Sequence, residues 1–169
     1  MVLAPNIAVR AFTAEDAEKV SALIRSTLLT SNTAHYPRAE LESLADWYCA
    51  AGLISRLPFA RRIVAFAENS GQTIENPRET IVGTAARREN RLESFFVAPA
   101  WQGCGVGSLL LEALEEDARV DALRVVWLES SLTAVGFYEK RGFVATGGAV
   151  DNGDGLVVTM RKRLPSLLP

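Results

Sequence analysis

The residues Gln102-Gly103-Cys104-Gly105-Val106-Gly107-Ser108 carry the clearest chemistry in this chain. They follow an apolar run, Phe95-Phe96-Val97, and lead straight into the periodic stretch Leu109-Leu110-Leu111-Glu112. That order reads as a buried strand, a sharp glycine-rich turn and a helix. The first amides of a helix have no intrahelical acceptor, and the helix dipole puts partial positive charge on them. Glycines let an anion approach the main chain and let the turn take positive φ. The stretch is therefore a phosphate cradle in waiting. A dinucleotide fingerprint does not fit, because Gly103, Gly105 and Gly107 give G-x-G-x-G and the unit does not open the domain. A phosphate-binding P-loop does not fit either, since no Lys-Ser or Lys-Thr follows the glycines.

Other chemistries are poorly supplied. The chain has 169 residues with one histidine, His35, and two cysteines, Cys49 and Cys104. Neither cysteine lies in a metal-ligand spacing, so no metal is expected. So few cysteines also argue against a disulfide scaffold and for a reducing compartment, the cytoplasm. Met1 to Asn6 lacks a basic segment followed by an apolar one, so no signal peptide is expected. No apolar run suffices to cross a bilayer. Basic and acidic residues nearly balance, 18 against 20, which removes any global pull toward nucleic acid. The basic clusters Arg61-Arg62, Arg87-Arg88 with Arg91, and Arg161-Lys162-Arg163 read as solvated strand ends.

The elements that must position the turn follow from periodicity. Ile7 to Arg10 alternates as a strand, and Thr13-Ala14-Glu15-Asp16 starts a helix running to about Leu29. A polar break at Ser31 to Pro37 precedes one second helix that ends near Gly52. Arg62–Glu68, Thr80–Arg87 and Arg91–Val97 are strands, with a long loop from Asn69 to Glu79. A helix follows the glycine turn, with Val106, Leu109, Leu110, Ala113, Leu114 and Ala118 on one face. Leu123 to Leu128 is the next strand, reached by a right-handed crossover and parallel to the one before the turn. A short helix from Ser131 to Arg141 stops at Gly142, with Phe143 placed for a Schellman contact, and two strands close the fold. The order β α α β β β α β α β β is a mixed α/β single domain over 1–169, with its core over 7–162 and a loose tail over 163–169. Trp47 and Tyr48 read as core or helix-packing residues.

Two stretches resemble one known family, the GCN5-related N-acetyltransferases (GNAT). Gln102, Gly105 and Gly107 fill its acyl-CoA-binding signature, and Ala134-Val135-Gly136-Phe137-Tyr138-Glu139-Lys140-Arg141-Gly142-Phe143 resembles its later A-x-x-F-Y-E-K-x-G-F block. Two departures stand out: Cys104 replaces a frequent basic residue between the glycines, and Ser131 replaces a frequent Asn. The resemblance implies a GNAT-type mixed sheet with the acyl-CoA site in a splay between the fourth and fifth strands. It also implies acetyl transfer from acetyl-CoA directly to a primary amine of an acceptor that stays open, a small molecule, peptide or protein.

On that reading the cofactor-side residues are Phe96, Val97, Gln102, Gly103, Cys104, Gly105, Val106, Gly107, Ser108 and Ser131, with Phe96 and Val97 offering main-chain groups to the pantetheine arm. Ser131 and Thr133 either bond that arm or cap the short helix. An amine with a pKa near ~10.4 must lose a proton to attack. Glu93 is the first choice of base, placed by period two on one strand face with Phe95 and Val97, ahead of Glu129 and Glu68. Tyr138 resembles the family's general acid toward the leaving thiolate. Asn32, His35 and Tyr36, between the first two helices, are the acceptor-side residues. A homodimer through exposed strands or the C-terminal region is compatible with the sequence. The competing class is a non-catalytic acyl-CoA sensor or interaction module that keeps the cradle without the chemistry.

Overall fold

A computed structural model of the chain describes residues 6–31, 33, 36–68, 79–153 and 155–165. One sheet runs through it in the order β1-β2-β3-β4-β5-β8-β6, with β7 also paired to β8. The strands are β1 (Asn6–Ala11), β2 (Arg61–Glu68), β3 (Thr80–Arg88), β4 (Arg91–Val97), β5 (Val125–Ser131), β6 (Val144–Ala145), β7 (Val150–Asp151) and β8 (Leu156–Arg163). The helices are α1 (Ala17–Ser31), α2 (Arg38–Trp47), α3 (Ala50–Ser55), α4 (Val106–Val120) and α5 (Val135–Glu139). β1 to β4 form an antiparallel meander, and β5 to β8 form a second antiparallel group. The two groups meet at the parallel β4–β5 junction, which has one registered pair, Arg91 with Trp127.

Each face of the sheet buries its own helices. On one face the apolar stripe of α4, through Val106, Leu110, Leu111, Leu114 and Ala118, packs on Val82, Ala85, Leu92, Val126, Leu128 and Met160. On the other face Val20, Leu23, Ile24 and Leu28 of α1 pack with Leu41, Ala45, Leu53 and Val64. The entry to α1 is locked by Asp16. Its carboxylate accepts from the Thr13 amide at 2.8 Å and from both Arg10 Nη atoms at 2.8 and 2.9 Å. The Arg10 guanidinium holds this carboxyl below its ordinary pKa, against the opposing effect of burial.

Several expectations change in detail. The predicted second helix is two, because Tyr48 closes α2 and Cys49 is extended before α3 begins. Trp47 is not core: it is 62% exposed, with the Arg56 guanidinium 4.8 Å from its ring centroid. β5 starts at Val125 and runs through Ser131, three residues beyond its expected end. The C-terminal strand extends to Arg163, and Leu164 is buried with its amide on the Arg124 carbonyl, so the tail starts later than 163. The expected loop from Asn69 lies outside the described residues up to position 78.

Candidate active site

The glycine turn has the geometry its sequence demands. β4 ends at Val97, a single 3-10 turn spans Pro99–Trp101, and α4 opens at Val106. Gly103 and Gly105 have φ of 78° and 87°, which only glycine adopts without strain. Among the described residues the amides of Gly103, Gly105, Val106 and Gly107 find no acceptor. Their shared location at the start of a 15-residue helix makes an anion site from backbone alone. The Gln102 side chain braces the turn, donating to Ser31 Oγ at 3.0 Å and to the Val97 carbonyl at 3.2 Å. Trp101 packs against the α4 core.

Sequence reasoning missed Arg141 here. Its guanidinium lies 3.8 Å from the Phe137 ring centroid, donates to the Phe137 carbonyl at 3.0 Å, and also donates to Ser108 Oγ in the first turn of α4. It places a cation beside the cradle that Cys104 leaves short of one. The signal was present in the later motif block, but only the tertiary approach of α5 to α4 gives it meaning. That approach is close: a Cβ on Gly107 would lie 3.1 Å from the Phe137 ring.

Beyond the Arg91–Trp127 pair, β4 and β5 part. The Ala98 amide donates to Val82 on β3, so alternation turns the Val97 main chain the other way, into the gap. The Val97 carbonyl is already engaged by Gln102 and by Thr27 Oγ1 at 3.4 Å, and its N–H has no acceptor among the described residues. Phe96 does not offer its main chain as expected, because alternation commits it to β3, where it registers with Thr84.

Glu93 also moves from its expected place. Three steps along β4, from Glu93 to Phe96, match two along β3, from Ala86 to Thr84. The extra residue is a β-bulge with Ser94 at φ 58°. The bulge breaks period two. Leu92, Phe95 and Val97 face α4 and α5, whereas Glu93, Ser94 and Phe96 face α1 to α3. Glu93 has Arg88 at 3.5 Å and Arg91 at 3.9 Å. Ser94 Oγ bonds the Tyr48 hydroxyl at 2.9 Å.

Tyr138 lies on the opposite face from Glu93. Its ring is packed edge-on against Phe95, Phe137 and Phe143, at 5.9, 5.0 and 5.6 Å between centroids. Gly142 takes φ 85° and the Phe143 amide reaches back to the Tyr138 carbonyl at 3.1 Å, the Schellman stop the sequence predicts. Burial pushes the phenol pKa well above its ordinary value, offset only in part by Arg141. The hydroxyl finds no hydrogen-bond partner among the described residues. It is thus a phenol that keeps its proton and has not yet spent it.

The remaining expected residues divide. Ser131 ends β5 and bonds Thr133 Oγ1 at 2.9 Å, while the residue preceding α5 is Ala134, so neither hydroxyl caps that helix. Tyr36 is buried and ties the mouth of the gap together. Its hydroxyl donates to the Leu156 carbonyl at 2.7 Å and accepts from the Leu132 amide at 3.3 Å. Asn32 and His35 lie outside the described residues. Glu129 is ion-paired with Arg91 at 2.6 Å.

The model of the acetyltransferase (GNAT) domain matches residues 53–164, more than half of the chain. The chain belongs to the GNAT acetyltransferase family. It is 31% identical over 106 residues to a glucosamine 6-phosphate N-acetyltransferase of Trypanosoma brucei brucei, covering 63% of this chain and 69% of that protein. A GCN5-related N-acetyltransferase structure from Rhodopseudomonas palustris superposes with a TM-score of 0.77 at 27% identity, over 97% of this chain and 99% of that one. The PaiA N-acetyltransferase of Thermoplasma acidophilum, solved with coenzyme A, shares the fold at 20% identity and TM-score 0.77, over 94% and 99% of the two chains. As a GNAT enzyme the chain is an acetyl-CoA-dependent N-acetyltransferase. The glycine turn fits that donor: a diphosphate needs several N–H donors at one point, and four amides there have no acceptor among the described residues. Among the described residues no helix is long and apolar enough to cross a membrane.

Proposed function

We propose that this GNAT enzyme transfers acetyl directly to a primary amine in a ternary complex, with Glu93 as proton acceptor and Tyr138 as proton donor. The observation that carries this reading is the placement of the two groups. They lie on opposite faces of the sheet at the strand that borders the β4–β5 gap, one ion-paired and the other protonated and unpartnered. Acetyl-CoA supplies the activated acyl group. The amides of Gly103, Gly105, Val106 and Gly107 and the Arg141 guanidinium hold its phosphates, and the Val97 N–H orients the arm that enters the gap.

An amine approaching from the α1–α3 face meets Glu93. Its nitrogen forms the new C–N bond as the C–S bond breaks, and the proton it sheds passes to the Glu93 carboxylate. On the other face the Tyr138 hydroxyl gives its proton to the departing sulfur. No enzyme nucleophile is required, and Cys104, exposed at the turn, is not one. The exposed thiols of Cys49 and Cys104 support a reducing compartment, the cytoplasm, as its place of work.

Initial-velocity kinetics at varied acetyl-CoA and amine test this directly. Intersecting double-reciprocal lines are expected. Parallel lines, the mark of a covalent acetyl-enzyme, would sink the ternary mechanism.

A further inference from the structure

Two arginines of the sheet are buried, Arg87 and Arg62. They differ in company. Arg87 is paired with Asp117 and Asp121, both of α4 or its C-terminal end. Arg62 has no carboxylate within ion-pair distance among the described residues, and its side chain makes one hydrogen bond, to Thr84 Oγ1 at 3.3 Å. A guanidinium carries five N–H donors, and taking it from water without a counter-anion is costly. It is 8% exposed and lines a small recess with Leu53, Arg56, Leu57, Ala60 and Glu93. Burial lowers its pKa, with Glu93 and Tyr48 opposing that effect and Arg56 adding to it. A second cation, Arg56, is held over this recess by the Trp47 and Tyr48 rings and by its bond to the Trp47 carbonyl at 3.0 Å.

On the proposed reading, the recess lies on the side from which the acceptor amine reaches Glu93. Arg62 on β2, Ala86 on β3 and Glu93 on β4 are lateral neighbours in register on the α1–α3 face. From β2 to β4 is two strand spacings, roughly 10 Å, and the Arg62 side chain spans part of that by reaching Thr84 on β3. One end of the recess thus offers a carboxylate to an amine, and the other offers two guanidinium groups to an anion. We propose that Arg62 and Arg56 form an oxyanion subsite for the acceptor, which is an amine that also bears a carboxylate or phosphate. This rests on the reading that the amine approaches Glu93, and it goes further by naming the acceptor's chemical class. The oxyanion gives Arg62 the close ion pair it lacks among the described residues, where Glu93 acts only at longer range, and planar guanidinium geometry suits carboxylate and phosphate alike.

The test uses the full chain saturated with coenzyme A, so that the cradle's own phosphate site is filled. The Arg62 side-chain Nε–H resonance is identified as the signal lost in Arg62→Lys, whose remaining spectrum reports whether that variant folds. Sodium phosphate, sodium acetate, phosphoethanolamine and ethanolamine are titrated separately, with sodium chloride as the ionic-strength control. The expected result is a saturable Arg62 shift with phosphate or acetate and none with chloride. Whichever anion binds more tightly names the oxyanion. Phosphoethanolamine is expected to bind at least about threefold more tightly than phosphate, because its ammonium reaches Glu93. An Arg62 signal unmoved by every anion, or moved equally by chloride, overturns the subsite. Phosphoethanolamine no tighter than phosphate overturns its assignment to the acceptor. Saturation by coenzyme A in the same samples shows that the donor side stands whichever way these results fall.

Discussion

Replacing Tyr138 with Phe separates packing from chemistry, because the hydroxyl contributes to one and not to the other. The ring is held by three aromatic neighbours, and Phe preserves all of those contacts. The hydroxyl makes no hydrogen bond among the described residues and is not sealed from water, so it adds little to the stability of the fold. Its removal is therefore expected to leave stability within about 1 kcal/mol, or a few degrees in Tm. Turnover should move the other way. A positioned general acid contributes about 10²–10⁴-fold, and a thiolate is an easy leaving group, so a loss of about 10²-fold in kcat is expected. Acetyl-CoA affinity should stay within about twofold, since the phosphate contacts lie on other residues. Titration calorimetry, free-thiol release and thermal melting on the two proteins measure all three quantities. A pH series adds a further check. The folded phenol holds its proton above the unfolded value of 10.0, so its contribution to stability is fully present below that pH and is lost as pH rises toward the folded value. The wild type should therefore lose stability relative to Tyr138→Phe above pH 10.0. Full turnover in the variant, or a Tm lower by several degrees, would refute this reasoning: the first removes the acid, the second shows a hydroxyl with a structural partner.

Other perturbations address the remaining parts. Gly105→Glu forces a side chain into φ 87° and puts a carboxylate at the positive end of α4, so acetyl-CoA binding by calorimetry should fall by at least about 10²-fold. Glu93→Gln keeps the shape of the bulged strand and removes the proton acceptor. Its kcat should drop about 10²-fold with acetyl-CoA affinity preserved, and a variant of normal turnover would return the base role to another group. Ala122→Gly should stabilise the fold by about 1 kcal/mol in urea denaturation, because Ala122 takes φ 58° just past α4, where the Leu123 amide bonds back to the Ala118 carbonyl.

Local signals in the sequence hold with one exchange on α4, where Leu109 is 37% exposed and Leu111 is buried in its stead, and the non-local ones do not. The glycine turn, the apolar stripe of α4 and the Gly142-Phe143 stop each depend on residues within a few positions of one another. Glu93 depends on a bulge at Ser94, and serine carries no mark of a left-handed conformation. One inserted residue reversed its face and, with it, the side of the sheet from which a base would act. Arg141 and Arg62 were read as solvated charges or passed over, since burial and partners arise only when α5 meets α4 and when α3 covers β2. The break between α2 and α3 has no proline or glycine at Tyr48-Cys49 to announce it.

The division of the sheet into two faces has a consequence for specificity. On the proposed reading the donor-side residues come from the turn, α4 and α5, whereas the acceptor-side recess is built from α3, the turn after it and the α1-facing side chains of β2 and β4. α1 reaches across to the turn, since Ser31 Oγ accepts from Gln102 and Thr27 Oγ1 donates to the Val97 carbonyl, whereas α2 and α3 lie behind the backbone layer of the sheet. The matched domain, starting at residue 53, excludes α1 and α2 entirely. On the proposed reading, changes confined to α2 and α3 reshape the acceptor recess while the turn that receives acetyl-CoA keeps its geometry.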